Sequence, residues 1–221
     1  MSTDTTDPAR AVVLARVRAA LATVPAGEPV RWEGPGADGS PDAYRVGGAP
    51  AEAAPVELFA ERVAEYRAEV VRCSDVPGAV AAVCARHGAR RVVAPAGIAA
   101  EWLGEGVEWL REPLSTTELD GVDGVLTGAA VAIAETGTIA LDHGAGQGRR
   151  AVTLVPDLHV CVVRADQVVA SVPEGLRRLR AAVDAGRPVT LVSGPSATSD
   201  IELERVEGVH GPRRLVVLIV G

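Results

Sequence analysis

The chain has 221 residues, 48% of them apolar, and a formal net charge of −7. That length supports one large domain or two small ones, and the acidic balance argues against nucleic acid or an anionic membrane as the main partner. All 22 basic residues are Arg and none is Lys, which excludes a Schiff-base lysine, a pyridoxal-phosphate anchor and a P-loop lysine together.

No apolar run reaches about 18 residues, and residues 1–20 carry acidic groups without an apolar signal core. Neither a membrane span nor secretion is expected, and a cytoplasmic location is. Cys73, Cys84 and Cys161 lie far apart in apolar company. They read as reduced, buried thiols, with no disulfide framework and no zinc or iron–sulfur ligand set. No cofactor or metal is therefore predicted to be bound by this chain.

In chain order, Asp7-Pro8 is a helix start, and Val13, Leu14, Val17, Leu21 and Val24 keep one apolar face, predicting a helix over about 7–24. Residues 27–54, rich in Gly, Pro and Ala without a period, read as an irregular segment and a candidate for mobility. Leu58, Phe59, Val63, Tyr66 and Val70 predict a helix over 55–72. A third helix spans 77–87 between a Ser74 or Asp75 cap and Gly88. Residues 91–94 read as a short strand, and 98–103 as the beginning of another helix.

The second half alternates more quickly. Strands are predicted over 131–134, 138–141, 151–155 and 160–163, then a helix over 173–185. A buried strand over 189–192, a helix over 200–206 stopped by Gly208, and a strand over 215–220, apolar on both faces, complete the chain. The pattern predicts one α/β domain over 1–221 in three layers, a mixed but mainly parallel sheet with helices on both faces.

Three segments carry candidate chemistry. Residues 193–212, SGPSATSDIELERVEGVHGP, place Gly194, Pro195, Ser196, Thr198, Ser199 and Asp200 between a strand and the predicted helix. Unpaired N–H groups at such a helix start favour a small carboxylate or phosphate, although capping alone would explain one hydroxyl. In Ala134-Glu135-Thr136-Gly137-Thr138, a carboxylate between two apolar runs needs a partner or a raised pKa. Glu135 could be a general base, a nucleophile or an exposed turn residue.

The third segment, residues 142–150, joins a Gly-rich loop to Arg149 and Arg150, whose guanidinium groups can grip an anion with paired hydrogen bonds. Because ligand crevices in open α/β sheets form outside the carboxyl ends of strands and both segments follow strand-like runs, Glu135 and the 193–200 loop are expected at one sheet edge. His159 and His210 are candidates to orient an acidic substrate or move a proton. His143, His159 and His210 show no metal-binding spacing.

Together AETGT, the PDLHVCVV strand and the 193–212 run are similar to the lactate-utilisation protein C family, whose members consist of one LUD domain. The resemblance implies a NagB/RpiA/CoA-transferase-like fold and a cytosolic role in oxidising L-lactate to pyruvate with partner proteins that carry iron–sulfur clusters. Within the wider fold group CoA transferases use a glutamate shortly before a glycine, and Glu135 with Gly137 looks similar. A stand-alone acyl- or CoA-transferring enzyme with Glu135 as nucleophile, and a non-catalytic scaffold, are the alternatives. A homodimer is compatible with any of the three.

Overall fold

The computed structural model of the chain describes residues 8–22, 54–199, 205–208 and 210–221. The chain falls into two units, 1–44 and 45–221. In the first, α1 (Pro8–Leu21) begins at a proline, whose missing N–H would have been unpaired there anyway. The segment expected to be irregular over 27–54 lies, save for Ala54, outside the described residues.

The second unit opens with α2 (Pro55–Glu65), β1 (Glu69–Cys73), α3 (Val76–His87), β2 (Arg91–Val93), β3 (Glu108–Leu110) and α4 (Thr116–Asp120). Then come β4 (Gly124–Gly128), β5 (Val131–Ile133), β6 (Thr138–Leu141), β7 (Leu158–Arg164), β8 (Val168–Val169) and α5 (Val172–Asp184). β9 (Thr190–Val192), β10 (Ala197–Ser199), β11 (Arg205–Glu207) and β12 (Arg214–Val220) finish it.

Six strands form a parallel sheet in the order β1-β12-β7-β4-β2-β3. Its centre is apolar on both faces because successive side chains of a strand point opposite ways. Val160, Val162, Val216 and Leu218 meet Val76, Val80 and Val83 of α3. Cys161, Val163, Val217 and Ile219 meet Phe59 and Val63 of α2, together with Ile139 and Leu141 of a second sheet. That sheet has the order β8-β5-β6-β9, with β5–β6 and β6–β9 antiparallel. Its Val131, Ile133 and Ala140 pack with Leu179 of α5. The mainly parallel α/β architecture is as expected; one face is covered by α2 and the smaller sheet together.

Local differences have identifiable causes. Residues 55–72 do not make one helix: α2 stops at Glu65, Arg67 adopts a left-handed φ of 67°, and Val70 pairs with Val217 in the parallel ladder. The β-branched Val70-Val71 pair suits that strand better than a helix. Residues 98–103 supply a single 3₁₀ turn, Ala100–Trp102. Residues 151–155 form no strand; a 3₁₀ turn over Arg150–Thr153 packs Val152 against Val93, Leu119 and Val125. The strand over 189–192 lies at a sheet edge with Leu191 57% exposed, so it is not the buried strand its composition suggests.

The helix expected over 200–206 is overturned at its end. Arg205–Glu207 is a strand whose partner is β10, with Ala197 opposite Glu207 and Ser199 opposite Arg205. Ser196 continues this hairpin, donating its N–H to the Pro212 carbonyl and accepting at its own carbonyl from Gly208. The periodicity of residues 200–206 and the stop at Gly208 suggested a helix, while the alternation Ile201-Glu202-Leu203-Glu204 equally satisfies a strand period. Residues 200–204 themselves lie outside the described residues.

Gly137 has φ +59°, and a Cβ there would stand 2.7 Å from the Arg62 carbonyl carbon and 2.8 Å from the Val63 nitrogen, both backbone atoms of α2. Gly88 is also left-handed, at φ +68°, but faces open space. Gly137→Ala is therefore expected to lose about 2–4 kcal/mol and Gly88→Ala about 1 kcal/mol in urea unfolding. Equal losses would show that backbone conformation, not the approach of α2, requires Gly137.

Candidate functional site

A cleft of about 320 Å³ opens where β7 and β12 begin and β9 ends. Its lining includes Arg150, His159, Thr190, Ser193, Ser196 and His210. Gly194 and Pro195 form the turn between Ser193 and Ser196 and also line it. A second, more polar hollow of about 780 Å³ shares Arg150 and His210 and adds Asp120, Asp157 and Arg213. Thus the structure brings Arg150, His159, His210 and the 194–196 turn together, although they come from separate segments.

Arg150 is the cation of this cleft. It is exposed and makes no ion pair among the described residues, whereas Arg213 is paired with Asp157 at 2.9 Å. Arg149 turns away: its Nε contacts Glu112 Oε1 at 3.0 Å and its Nη2 donates to the Leu114 carbonyl. Of the two arginines expected at the site, Arg150 alone lines the cleft.

His159 forms part of the wall and is only 2% exposed. Its Nε2 lies 2.8 Å from Thr127 Oγ1 on the neighbouring strand. Burial pulls its pKa down to about 4, so at neutral pH the ring carries no positive charge. It can orient a ligand by hydrogen bonding, while the charge that attracts an anion comes from Arg150.

The hydroxyls are organised by their neighbours. Ser193 Oγ is 2.8 Å from Thr138 Oγ1, which is 2.8 Å from Thr136 Oγ1. Ser196 Oγ accepts the His210 backbone N–H at 3.1 Å. Thr190 Oγ1 is 2.8 Å from His143 Nε2, and His143 Nδ1 is 2.9 Å from the Gly148 carbonyl. A carbonyl only accepts, so Nδ1 holds hydrogen, and in the neutral ring Nε2 accepts from Thr190. The Gly-rich loop is braced as well, by Gln147 and Arg187 on Asp142.

Glu135 stands elsewhere. It is exposed, its Oε2 accepts the Val172 N–H at 3.3 Å, and its own N–H goes to the Ala170 carbonyl. It supplies the first turn of α5 with an acceptor that Ser171 does not provide; the buried Ser171 Oγ has no hydrogen-bond partner among the described residues. The β5–β6 turn and the exit of β9 do share one end of the smaller sheet, since Ile139 pairs with Val192. Gly137 serves the approach of α2. Thr198 and Ser199 lie in β10 with side chains outside the described residues, as does all of Asp200.

Thr190, Thr127 and Leu154 were not singled out by sequence. Thr127 had a readable signal, a hydroxyl inside the apolar run Gly124–Gly128. Thr190 had none, because its role depends on His143 across 47 residues of chain. Among the described residues no group of three or more His, Cys, Asp or Glu side chains is placed to hold a metal ion. None of the described helices is long and apolar enough to cross a membrane.

The layered sheets and the polar cleft at their strand ends define an α/β protein with a site built from loops. The family model for the LUD domain matches residues 56–220, and the chain belongs to the LUD-domain family. A "Lactate utilization protein C" of Deinococcus radiodurans is 58% identical over 167 residues, 74% of this chain and 78% of that protein. Another, of Shouchella clausii, is 33% identical over 98 residues, 43% of this chain and 42% of that one, less than half of either. The crystal structure of a DUF162 family protein from Deinococcus radiodurans matches with TM-score 0.66 and 48% identity, covering 76% of this chain and 96% of that chain.

The depressed pKa of His159 makes a prediction about acid. The unfolded chain takes up this proton near the ordinary value of 6.5, the folded chain only near pH 4. Stability is therefore complete above about pH 6.5 and falls by about 3 kcal/mol as the pH drops to 4. His159→Gln removes the titration, so its unfolding midpoint should change less between pH 7 and pH 4.5 than that of the wild type. An identical pH slope in both proteins would assign the acid sensitivity to other groups.

Proposed function

We propose that this chain is a cytosolic subunit of L-lactate utilisation, binding a small carboxylate or phosphate-bearing ligand in the Arg150 cleft. It acts with iron–sulfur partner proteins in the oxidation of L-lactate to pyruvate. The observation that carries the reading is the 58% identity to a lactate utilization protein C across about three quarters of both chains. The cleft supports it: the Arg150 fork can attract an oxyanion, and the Ser193 and Ser196 hydroxyls, each able to donate, line the same cleft.

The cysteines suit the same division of labour. Burial pushes Cys84 up to about 11 and Cys161 up to about 12, so both are protonated thiols rather than thiolate ligands. In this reading electron carriers sit on the partners, and the chain contributes ligand binding and contacts to them.

Deleting the gene is expected to abolish growth on L-lactate, and the tagged protein should co-purify iron-containing partners. Arg150→Ala should still fold and assemble, but bind pyruvate or phosphate about tenfold more weakly by calorimetry, as the loss of a charge-assisted contact implies. Normal growth of the deletion strain on L-lactate would remove the proposal.

The acyl-transfer alternative requires Glu135 to meet a ligand, whereas its carboxylate accepts the Val172 N–H. Glu135→Gln should leave phosphate and pyruvate affinity unchanged and lower stability by about 0.5 kcal/mol, the scale of an exposed charge at a helix start. Abolished turnover with an unchanged fold would reinstate the nucleophile.

A further inference from the structure

The AETGT segment and the cleft are joined by hydroxyls rather than by Glu135. Thr136 Oγ1, Thr138 Oγ1 and Ser193 Oγ stand in a row with two 2.8 Å contacts, and Ser193 is in the cleft wall. Thr138 is 7% exposed and Thr136 half-buried, so the row runs from the β5–β6 turn through the interior to the ligand space. Each hydroxyl has one hydrogen to donate and lone pairs to accept, so the row has two polarities.

In one polarity Ser193 donates to Thr138, which donates onward to the Thr136 hydroxyl or to its carbonyl at 3.4 Å. In the other, Thr136 donates to Thr138 and Thr138 donates to Ser193, which leaves the Ser193 hydrogen directed to the cleft. An oxyanion beside Arg150 selects the second arrangement, and each donor in it strengthens the next. Ser196 is prepared in the same way, because its oxygen already accepts the His210 N–H and its hydrogen is left to donate.

We infer that Thr138 and Thr136 are positioning residues that act through Ser193: the threonine row turns the Ser193 hydroxyl into a donor for an oxyanion held by Arg150. This rests on the ligand reading given under Proposed function. The shared chemistry is that of a carboxylate or a phosphate oxygen, and the two sources are separated by separate titrations with pyruvate and with inorganic phosphate. The AETGT hydroxyls thus belong to the site through hydrogen bonding, although its glutamate does not line the cleft.

Calorimetry of the full chain tests this. Thr138→Val keeps the shape and removes the hydroxyl, and should weaken the preferred anion about fivefold, the worth of one hydrogen bond. Thr138→Ser should restore wild-type affinity, which a packing role for the side chain would not. The Thr138→Val, Ser193→Ala double variant should bind no more weakly than Ser193→Ala alone, because the threonine acts only through the serine. Thr136→Val, at the half-buried end, should weaken binding in the same direction and serves if Thr138→Val does not fold.

If the wild type binds an anion and loses it with Arg150→Ala, yet the threonine variants bind normally or additively, the hydroxyl row is overturned and the ligand reading stands. A wild type that binds neither anion overturns both.

Discussion

β12 pairs in parallel with β7 over seven positions, Arg214 with Leu158 through Val220 with Arg164, and the remaining layers depend on this pair. Its side chains alternate between two apolar compartments, one closed by α3 and the other by α2 with the smaller sheet. A polar substitution at one of their buried apolar positions would enter one of these cores without a partner. The pair also joins parts of the chain about 55 residues apart, with β8, α5 and β9 between them in sequence. The same geometry explains why the loops at its amino-terminal end are held close together.

The cleft lies at that end, at the amino-terminal ends of β7 and β12 rather than outside the carboxyl ends of strands where a crevice was expected; of β7, β9 and β12 only β9 meets it with its carboxyl end. His159 and Leu215 are the second residues of their strands, and both are in the cleft wall. A site built here inherits a rigid base and a low dielectric from the sheet beneath it, which is why an imidazole can remain neutral far below its ordinary pKa. The opposing wall comes from loops whose polar groups are largely committed to one another, as with Ser196 and His210 or Thr190 and His143. An overall acidic chain thereby keeps a locally cationic opening, since Arg149, Arg187 and Arg213 are paired with carboxylates, whereas Arg150 makes no ion pair with any of the described residues.

Much of the site was legible in its residues but not in its geometry. The hydroxyl-rich 193–196 segment, Arg150, His159 and His210 could be read from unusual polar groups beside apolar strands, and they do meet. The reason first assigned to them, a helix N-terminus at residue 200, falls outside the described residues; what the structure shows around the segment is the β10–β11 pairing, with backbone bonds that bring Ser196 to Gly208 and Pro212. Glu135 was conspicuous as a carboxylate between two apolar runs. Its surroundings in space are different: it reaches the start of α5, which follows it by 37 residues.

By itself the amino-acid sequence determined the elements with strong local signals. Asp75 and Gly88 bound α3 because a side chain and a left-handed turn can satisfy helix ends without help from elsewhere. The double-faced apolar run of β12 declared a buried parallel strand, and the absence of Lys excluded whole classes of chemistry. Tertiary structure alone decided where α2 stops, that residues 205–207 are extended, that Arg150 rather than Arg149 enters the cleft, and that Thr138 touches Ser193. Those outcomes depend on partners tens of residues away, which offer hydrogen bonds and apolar surface that no local window of sequence contains.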